Sequence, residues 1–543
     1  MKKHIQKGLA IIVASIITSP ALAYYDVTLG TTDTAGVWNG NEWIPNGTGS
    51  TVSVTTIQNK LAQGSVTIGT GTDIDGGTEV GDITVSNALS WDSNTLTLTA
   101  ANIIHIDAVM TAGGTAGLAL NTIPTSDFYD HSGQIDVGMG GGGFIGRVDF
   151  TGSGNTITIN GVPGVIVTTL GAEGSYANQN SLQGMAGLGA FGTGEVPTYV
   201  LGADIDASPT ASWNNGLGFE PVGERSGWKY LTMPGFFDGL GHTIDGLTIN
   251  RPGEKRVGLF NNLFYSVRNV GVTNANIVGG MWTGALAGDL EGYFPGPLGD
   301  ISNVYATGSV KGTDEGVGGL IGKIFFGEVR HAYFDGTVSS TFAGEYPTAT
   351  VGGLIGELRN TGEMVTLSNC RSSGSVSGPK IVGGLVGGIG IHAEVNSSGP
   401  TGHQINDCYS DMTILGGEQF GGLVGYIDSY QPETDGMSNS YFAGTIDAPD
   451  AAGGLTLSGD SPSGTYNVTA SGVYYNVDAL LTGHLMYNGG IPLTDAQVKQ
   501  QASFAGFDFD NTWVIYEGHT TPLLRASQGN IDSDGDGYFN NED

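Results

Sequence analysis

Short apolar–polar alternation runs through the first part of the chain. Thr95-Leu-Thr-Leu-Thr99, Ile103 to Ile106, Gly117-Leu-Ala-Leu120 and Thr156-Ile-Thr-Ile-Asn160 put every second side chain on one face, and Gly81 to Trp91 has the same habit. That period predicts half-buried β-strands, one face in a core and the other in water. Thr56-Ile-Gln-Asn-Lys-Leu-Ala62 breaks the pattern with helical spacing. It is placed to cap the open end of the first coil, where unpaired strand edges would invite association.

Further along, the pattern becomes a repeated phrase. Val317-Gly-Gly-Leu-Ile-Gly322, Val351-Gly-Gly-Leu-Ile-Gly356, Val382-Gly-Gly-Leu-Val-Gly387 and Phe420-Gly-Gly-Leu-Val-Gly425 are copies of one motif. Val257-Gly-Leu-Phe260 and Thr283-Gly-Ala-Leu-Ala-Gly288 precede them, and Ala451-Ala-Gly-Gly-Leu455 is a worn copy behind. A second motif lies between, as in Ser302-Asn-Val-Tyr305, His331-Ala-Tyr333, Ser368-Asn-Cys-Arg371, Asn406-Asp-Cys-Tyr409 and Ser438-Asn-Ser-Tyr441. The repeat leucines stand at 259, 286, 320, 354, 385, 423 and 455, so the spacing varies while the motif does not. Insertions therefore belong in turns. A five-residue strand cannot bury itself alone, but stacked on its copy it gains backbone hydrogen bonds and a shared core. The fold class expected is all-β, a right-handed parallel β-helix with short capping elements.

Composition agrees. Of 543 residues 94 are Gly, which suits frequent turns and close backbone stacking. With 39% hydrophobic residues the chain can form a core. Only 19 Lys and Arg stand against 52 Asp and Glu, a net charge of −33 that argues against nucleic acid as a partner. Lys2, Lys3 and Lys7, an apolar stretch from Leu9 to Ile17, and Ala21-Leu-Ala23 read as a secretory signal cleaved after Ala23. No later segment is apolar enough to span a membrane, so the mature chain is expected to be secreted or cell-surface, without a transmembrane segment.

The Gly-Gly-Leu-Val/Ile-Gly copies with Ser-Asn-x-Tyr between them resemble the GLUG motif. The lead-in Phe236-Phe-Asp-Gly-Leu-Gly-His-Thr-Ile244 and the tail from Leu493 through Trp513 to Arg525 fit that resemblance. Residues 81 to 121 resemble coils of filamentous-haemagglutinin-type adhesins. These resemblances imply a large secreted or surface bacterial protein working in adhesion, non-enzymatic, with an extracellular glycan or protein as ligand. GLUG repeats also occur as non-catalytic parts of immunoglobulin A peptidases. The division expected is 1–23 signal peptide, 24–180 haemagglutinin-like β-helix, 181–460 GLUG-repeat β-helix, 461–525 capping segment and 526–543 acidic loop.

That loop is the sharpest local signal. Counted from Asp532, acidic groups fall at positions 1, 3, 5 and 12 as Asp532, Asp534, Asp536 and Asp543, with Gly537 at the turn. Ca2+ takes six to eight oxygens, and alternating Asp residues bend round one centre. Tyr538 would add its carbonyl and Asn540 its side chain. The segment resembles an EF-hand loop and thrombospondin type 3 repeats, which implies Ca2+ as cofactor; the plainer reading is a solvated acidic tail.

Enzyme readings are weaker. Parallel β-helices include polysaccharide lyases and hydrolases, so a carbohydrate-active enzyme is the alternative, favoured if a groove gathers carboxylates with an Arg or Lys. Asp204 and Asp206 alternate but suit a turn. Gly459-Asp-Ser-Pro-Ser-Gly464 has Pro462 where a serine-protease motif needs Gly. Gly138 to Gly143 lacks the Lys-Ser/Thr of a phosphate loop and reads as a flexible turn; His242 reads as a turn residue. The Thr-x-Thr run that would suit ice binding is not sustained through the repeats. Cys370 and Cys408 fill the slot held elsewhere by Val304, Ala332 and Ser440. On adjacent coils their α-carbons would stand about 4.8 Å apart, within disulfide range, so a bridge and two buried thiols are both open.

Overall fold

The structure is a computed structural model that describes residues 24–71, 77–122, 134–176, 180–185, 197–223, 235–291, 299–344, 349–359, 364–390, 402–427, 435–447, 453–458, 468–479 and 490–527. The signal segment and the acidic loop of residues 532–543, with the whole proposed Ca2+ ligand set, lie outside the described residues.

The fold is a parallel β-helix, as the repeats require. In the N-terminal part, strands stack in columns. One runs Ser50–Ser53, Val27–Gly30, Ile83–Val85, Ile104–Ile106, Ile135–Val137; another runs Glu42–Pro45, Val66–Gly69, Thr95–Ala100, Gly117–Thr122, Thr156–Ile159. The alternation sends Leu96, Leu98, Leu118, Leu120, Ile157 and Ile159 into one core. The expected helix forms as Val54–Leu61 and buries Val54, Ile57 and Leu61 in that core.

The chain enters its second solenoid through a hairpin. Thr156–Ile159 pairs antiparallel with Val162–Val167, which pairs parallel with Thr198–Leu201. Long strands then stack as Phe236–Asp245, Val267–Gly279, Asp300–Gly312 and Gly327–Ser340, followed by shorter rungs up to Val468–Asn476. Leu259, Leu286, Leu320, Leu354, Leu385 and Leu423 share a continuous core, all fully buried.

The glycines of the first motif follow from backbone approach. A Cβ on Gly319, Gly353 or Gly384 would collide with the carbonyl oxygen of the equivalent glycine one coil on, Gly353, Gly384 or Gly422. No side chain fits between backbones this close.

The second motif builds a corner. Its Asn position takes left-handed backbone in coil after coil: Asn269, Asn303, His331, Asn369, Asp407 and Asn439, with φ between 46° and 55°. Asn and Asp tolerate that region better than other side chains except Gly. The next residue enters the core, which explains small Val304, Ala332, Cys370, Cys408 and Ser440, all buried. The cysteines lie side by side as free, buried thiols, with the Cys370 N–H donating to Cys408 Sγ at 3.4 Å. The Tyr position makes a stack along the flank, in register through Tyr305, Tyr333, Arg371, Tyr409, Tyr441 and Tyr474.

That flank is covered by the rest of the chain. At one end Met139 and Phe144 pack on Tyr305 and Tyr333. At the other, Phe504, Phe507, Trp513 and Leu524 pack on Tyr409, Tyr441 and Tyr474. The glycine run read as a flexible turn is instead a pinned hairpin, Met139–Gly140 against Gly143–Phe144, with Gly143 in contact with Tyr305. His242 is likewise no turn residue. It is fully buried within the strand Phe236–Asp245, with Nε2 2.8 Å from the Val148 carbonyl and Nδ1 3.2 Å from Asp204 Oδ1. Asp204 therefore braces the junction of the two solenoids, and its hydrogen bond to His242 lowers its pKa to about 2. Asp206 is not in a turn either: it ends the short strand Ile205–Asp206, in register with Asp245, and accepts from the Ser208 N–H at 2.9 Å.

Candidate functional site

The strands that follow the repeat leucines stack in register as Phe260–Leu263, Ala287–Leu290, Ile321–Ile324, Ile355–Leu358 and Val386–Ile389. Their ends therefore share one edge. The connections leaving that edge run from two residues (325–326) to fourteen (390–403). Elsewhere in these coils connections such as 378–380 and 341–349 have three to nine residues, so length varies more at this edge, while the register beneath holds.

One position on these strands carries chemistry. The third residue after each repeat leucine forms a column of Asn262, Asp289, Lys323, Glu357, Gly388 and Tyr426. Asp289 and Lys323 are 0% exposed and Glu357 is 1% exposed. Their α-carbons follow at about 4.8 Å per coil. An anion, a cation and an anion thus occupy successive rungs away from bulk water.

The cover over this column comes from the turns ahead of the motif and from the variable edge. Trp282 lies over Lys323, whose Nζ is 3.1 Å from the indole centroid and 4.0 Å from the Phe325 ring centroid. The Arg256 guanidinium stands 5.2 Å from the Trp282 ring centroid, and that of Arg359 stands 5.2 Å from the Phe325 centroid. Lys323 thus lies against both rings, each of which also has an arginine beside it. Contacts of this kind strengthen when desolvated. Arg256 also pairs with Asp289 (Nε–Oδ2, 2.6 Å) and Glu291 (Nη2–Oε1, 3.1 Å), and Asn262 Nδ2 donates to Glu291 Oε2 at 2.9 Å.

Burial dominates the electrostatics. It pushes the Asp289 carboxyl up to about 7 against the pull of Arg256, and Glu357 up to about 7 against Lys323. It lowers the Lys323 amine to about 7 against Glu357. All three exchange protons near neutrality, unlike the same groups in water. Among the described residues, Asn262 Oδ1, Trp282 Nε1, Asp289 Oδ1, Lys323 Nζ, Glu357 Oε1 and Arg359 Nε are buried without a hydrogen-bond partner. An orphaned buried polar atom is costly, and here such atoms run along four neighbouring strands from Asn262 to Glu357.

A second feature is a narrow cleft on the Tyr flank, between Met139 on one side and Leu524 and Ala526 on the other. Its floor is His331, Tyr333, Asn369 and Arg371. Arg371 lies 4.0 Å over the Tyr333 ring and forks onto Asp335 with Nη1–Oδ1 at 2.5 Å and Nη2–Oδ2 at 3.1 Å. Its charge is already matched.

No family model matches the chain. It is similar to halomucin of Haloquadratum walsbyi, 38% identical over 161 residues, which are 29% of this chain and 2% of that protein. Among solved structures it is similar to a candidate immunoglobulin A1 protease from Bacteroides ovatus, at 20% identity and a TM-score of 0.44, covering 67% of this chain and 92% of the other. A likeness at that level carries no argument about activity.

Among the described residues no helix is long and apolar enough to cross a membrane, and no group of three or more His, Cys, Asp or Glu is placed to hold a metal ion.

Proposed function

We propose that this chain is an exported β-helix protein that works by presentation, with the edge of variable connections contacting an extracellular glycan or protein. The observation that carries the reading is the contrast at that edge, where connections of two to fourteen residues leave strands that keep one register. A solenoid whose backbone is fixed by glycine contacts supplies stiffness, and loops positioned by such a scaffold are where binding resides. The GLUG and haemagglutinin-like resemblances point the same way. Ca2+ held by Asp532, Asp534, Asp536, Tyr538, Asn540 and Asp543 belongs to this proposal, as does export through residues 1–23.

The test is to shorten the 390–403 connection to the length of 325–326 and measure retention of the mature chain on glycan-coated and protein-coated surfaces. Retention should fall while the circular dichroism spectrum and melting temperature hold. If shortening this and the other long connections leaves retention intact, presentation by this edge is wrong. For Ca2+, calorimetric titration should give saturable binding that is lost in an Asp534→Ala/Asp536→Ala double variant.

A carbohydrate-active enzyme is the second reading. Asp289 and Glu357, two coils apart with Lys323 between them, are the specific observation in its favour. Their α-carbons stand two strand spacings apart, about 9.6 Å. Release of reducing ends or unsaturated sugars from polysaccharide, abolished by Glu357→Gln, would establish it.

A further inference from the structure

We propose that Lys323 and Glu357 condense into an intramolecular amide, a covalent bond that ties the coil of residues 317–324 to that of residues 351–358. The proposal is independent of the presentation reading above and adds a modification site to the solenoid itself.

Placement comes first. Lys323 and Glu357 stand directly opposite each other on adjacent parallel strands, with α-carbons about 4.8 Å apart. A lysine side chain is longer than that spacing. Lys323 is the only buried lysine among the described residues, and Glu357 is 1% exposed. Each ends in an atom without a hydrogen-bond partner, Nζ and Oε1. Glu357 is the charge that acts most strongly on Lys323, and Lys323 the one that acts most strongly on Glu357. Asp289, on the other side of Lys323, is already committed to Arg256, whose Nε holds Oδ2 at 2.6 Å, while Oδ1 is without a partner. The Lys323 amine lies against Trp282, and condensation turns it from that ring toward Glu357.

Burial supplies the drive. In water an amine and a carboxylic acid ionise, and hydration of the two ions holds them apart from the amide. Groups taken out of water lose that hydration. Burial brings both groups to about 7, so around neutrality the uncharged amine and the uncharged acid coexist. A desolvated, uncharged lysine amine is a nucleophile. Nζ attacks Cδ of the Glu357 carboxyl; the Nζ–Cδ bond forms and the bond from Cδ to its hydroxyl breaks. Asp289 Oδ1 takes a proton from the nitrogen and returns it to the departing hydroxyl, which leaves as water. Amine and acid give amide and water, with no oxidant, metal or co-reactant.

The bond needs no space for an outside molecule, and it replaces two buried ionisable groups by one neutral group. Until it forms, the three groups of the column titrate as described above; afterwards Asp289 alone does. The two strands it joins lead into the connections 325–326 and 359–364. A covalent tie at that edge keeps neighbouring rungs together when the connections are pulled.

The experiment is mass spectrometry of the full mature chain, purified, held folded at neutral pH and then denatured. The chain should weigh one water less than its sequence requires. In a tryptic digest, cleavage after Lys323 should be lost, and the peptides 312–330 and 331–359 should stay joined after cleavage at Arg330. Lys323→Arg keeps a positive charge but removes the amine, and should restore the full mass. Asp289→Asn should slow the appearance of the lighter chain by about a hundredfold, the scale of a lost proton-transfer group. A wild-type chain that keeps its full mass overturns the proposal, and it does so even if neither variant folds. A loss of water that persists in Lys323→Arg, or that maps to a carboxyl other than Glu357, overturns it as well. Retention on glycan-coated or protein-coated surfaces tests presentation separately, and a condensed chain has no free Glu357 for the second reading above.

Discussion

Asn303 donates through Nδ2 to the carbonyl of Val137, 2.7 Å away across 166 positions of sequence. The same nitrogen reaches Asn269 Oδ1 at 2.7 Å, and Asn269 in turn donates to the Ile135 carbonyl at 2.8 Å and accepts from the Val137 N–H at 3.1 Å. Two corner side chains of the repeat solenoid thus complete the backbone hydrogen bonding of a strand in the other solenoid. Asn303→Ala leaves the buried Val137 carbonyl without this donor, at a cost of about 1–3 kcal/mol. Scanning calorimetry should show the N-terminal solenoid melting earlier than the repeats. A single, unshifted transition would mean that apolar packing alone joins the two.

Gly353→Ala should destabilise the repeat core by about 3 kcal/mol, since the added methyl meets backbone that can only shift. Gly253→Ala is the control, because nothing lies within 4 Å of a Cβ there. Urea titration of the two variants should separate them clearly; equal midpoints would show that the glycine contacts relax at little cost.

The charge column gives a pH signature. Between about pH 4 and pH 7 the folded chain keeps protons on Asp289 and Glu357 that the unfolded chain has released, so stability falls as pH rises through that window. Between about pH 7 and pH 10.5 the unfolded chain protonates Lys323 while the folded chain does not, so stability rises again. The column's contribution is least near neutrality. Glu357→Gln should remove its share of the fall and Lys323→Met the rise, read as melting temperature against pH. Parallel curves for wild type and both variants would show that these groups are solvated as in water.

Trp513→Ala should loosen the C-terminal cover. The indole is fully buried, 6.1 Å from Tyr409 and 5.8 Å from Tyr441, and its Nε1 donates to Asp407 Oδ1 at 3.2 Å. Losing it costs about 3–5 kcal/mol and opens a row of stacked tyrosines to water. Enhanced binding of a hydrophobic dye with the repeat strands intact is the expected result. Unchanged dye binding would place the cover's stability in Phe504 and Phe507 instead.

The fold was legible because its repeats state it. Equal leucines at unequal spacing require stacked strands with elastic turns, and the Asn-x-Tyr phrase carries corner, core and flank residues in three consecutive letters. The charge column was not legible in the same way. Asn262, Asp289, Lys323 and Glu357 share a register position but not a chemistry, so they read as variation between copies. Aligning the copies on their leucines and reading three residues on would have shown an acid, a base and an acid in succession. The pinned hairpin at Met139–Phe144 and the buried His242 depend on contacts between segments far apart in sequence, which no local pattern encodes.

The left-handed corner runs unbroken from Asn269 to Asn439, but its rungs have different tenants. Asn269 and Asn303 hold the N-terminal solenoid, Asp407 holds the C-terminal cover, and His331 and Asn369 between them face the cleft. The number of repeats therefore works as a gauge. A duplication of one coil between these attachment points would part the two tenants by one strand spacing, about 4.8 Å, without disturbing either seat. Recombination among the repeats would then alter the distance between the two covers on this flank in fixed increments.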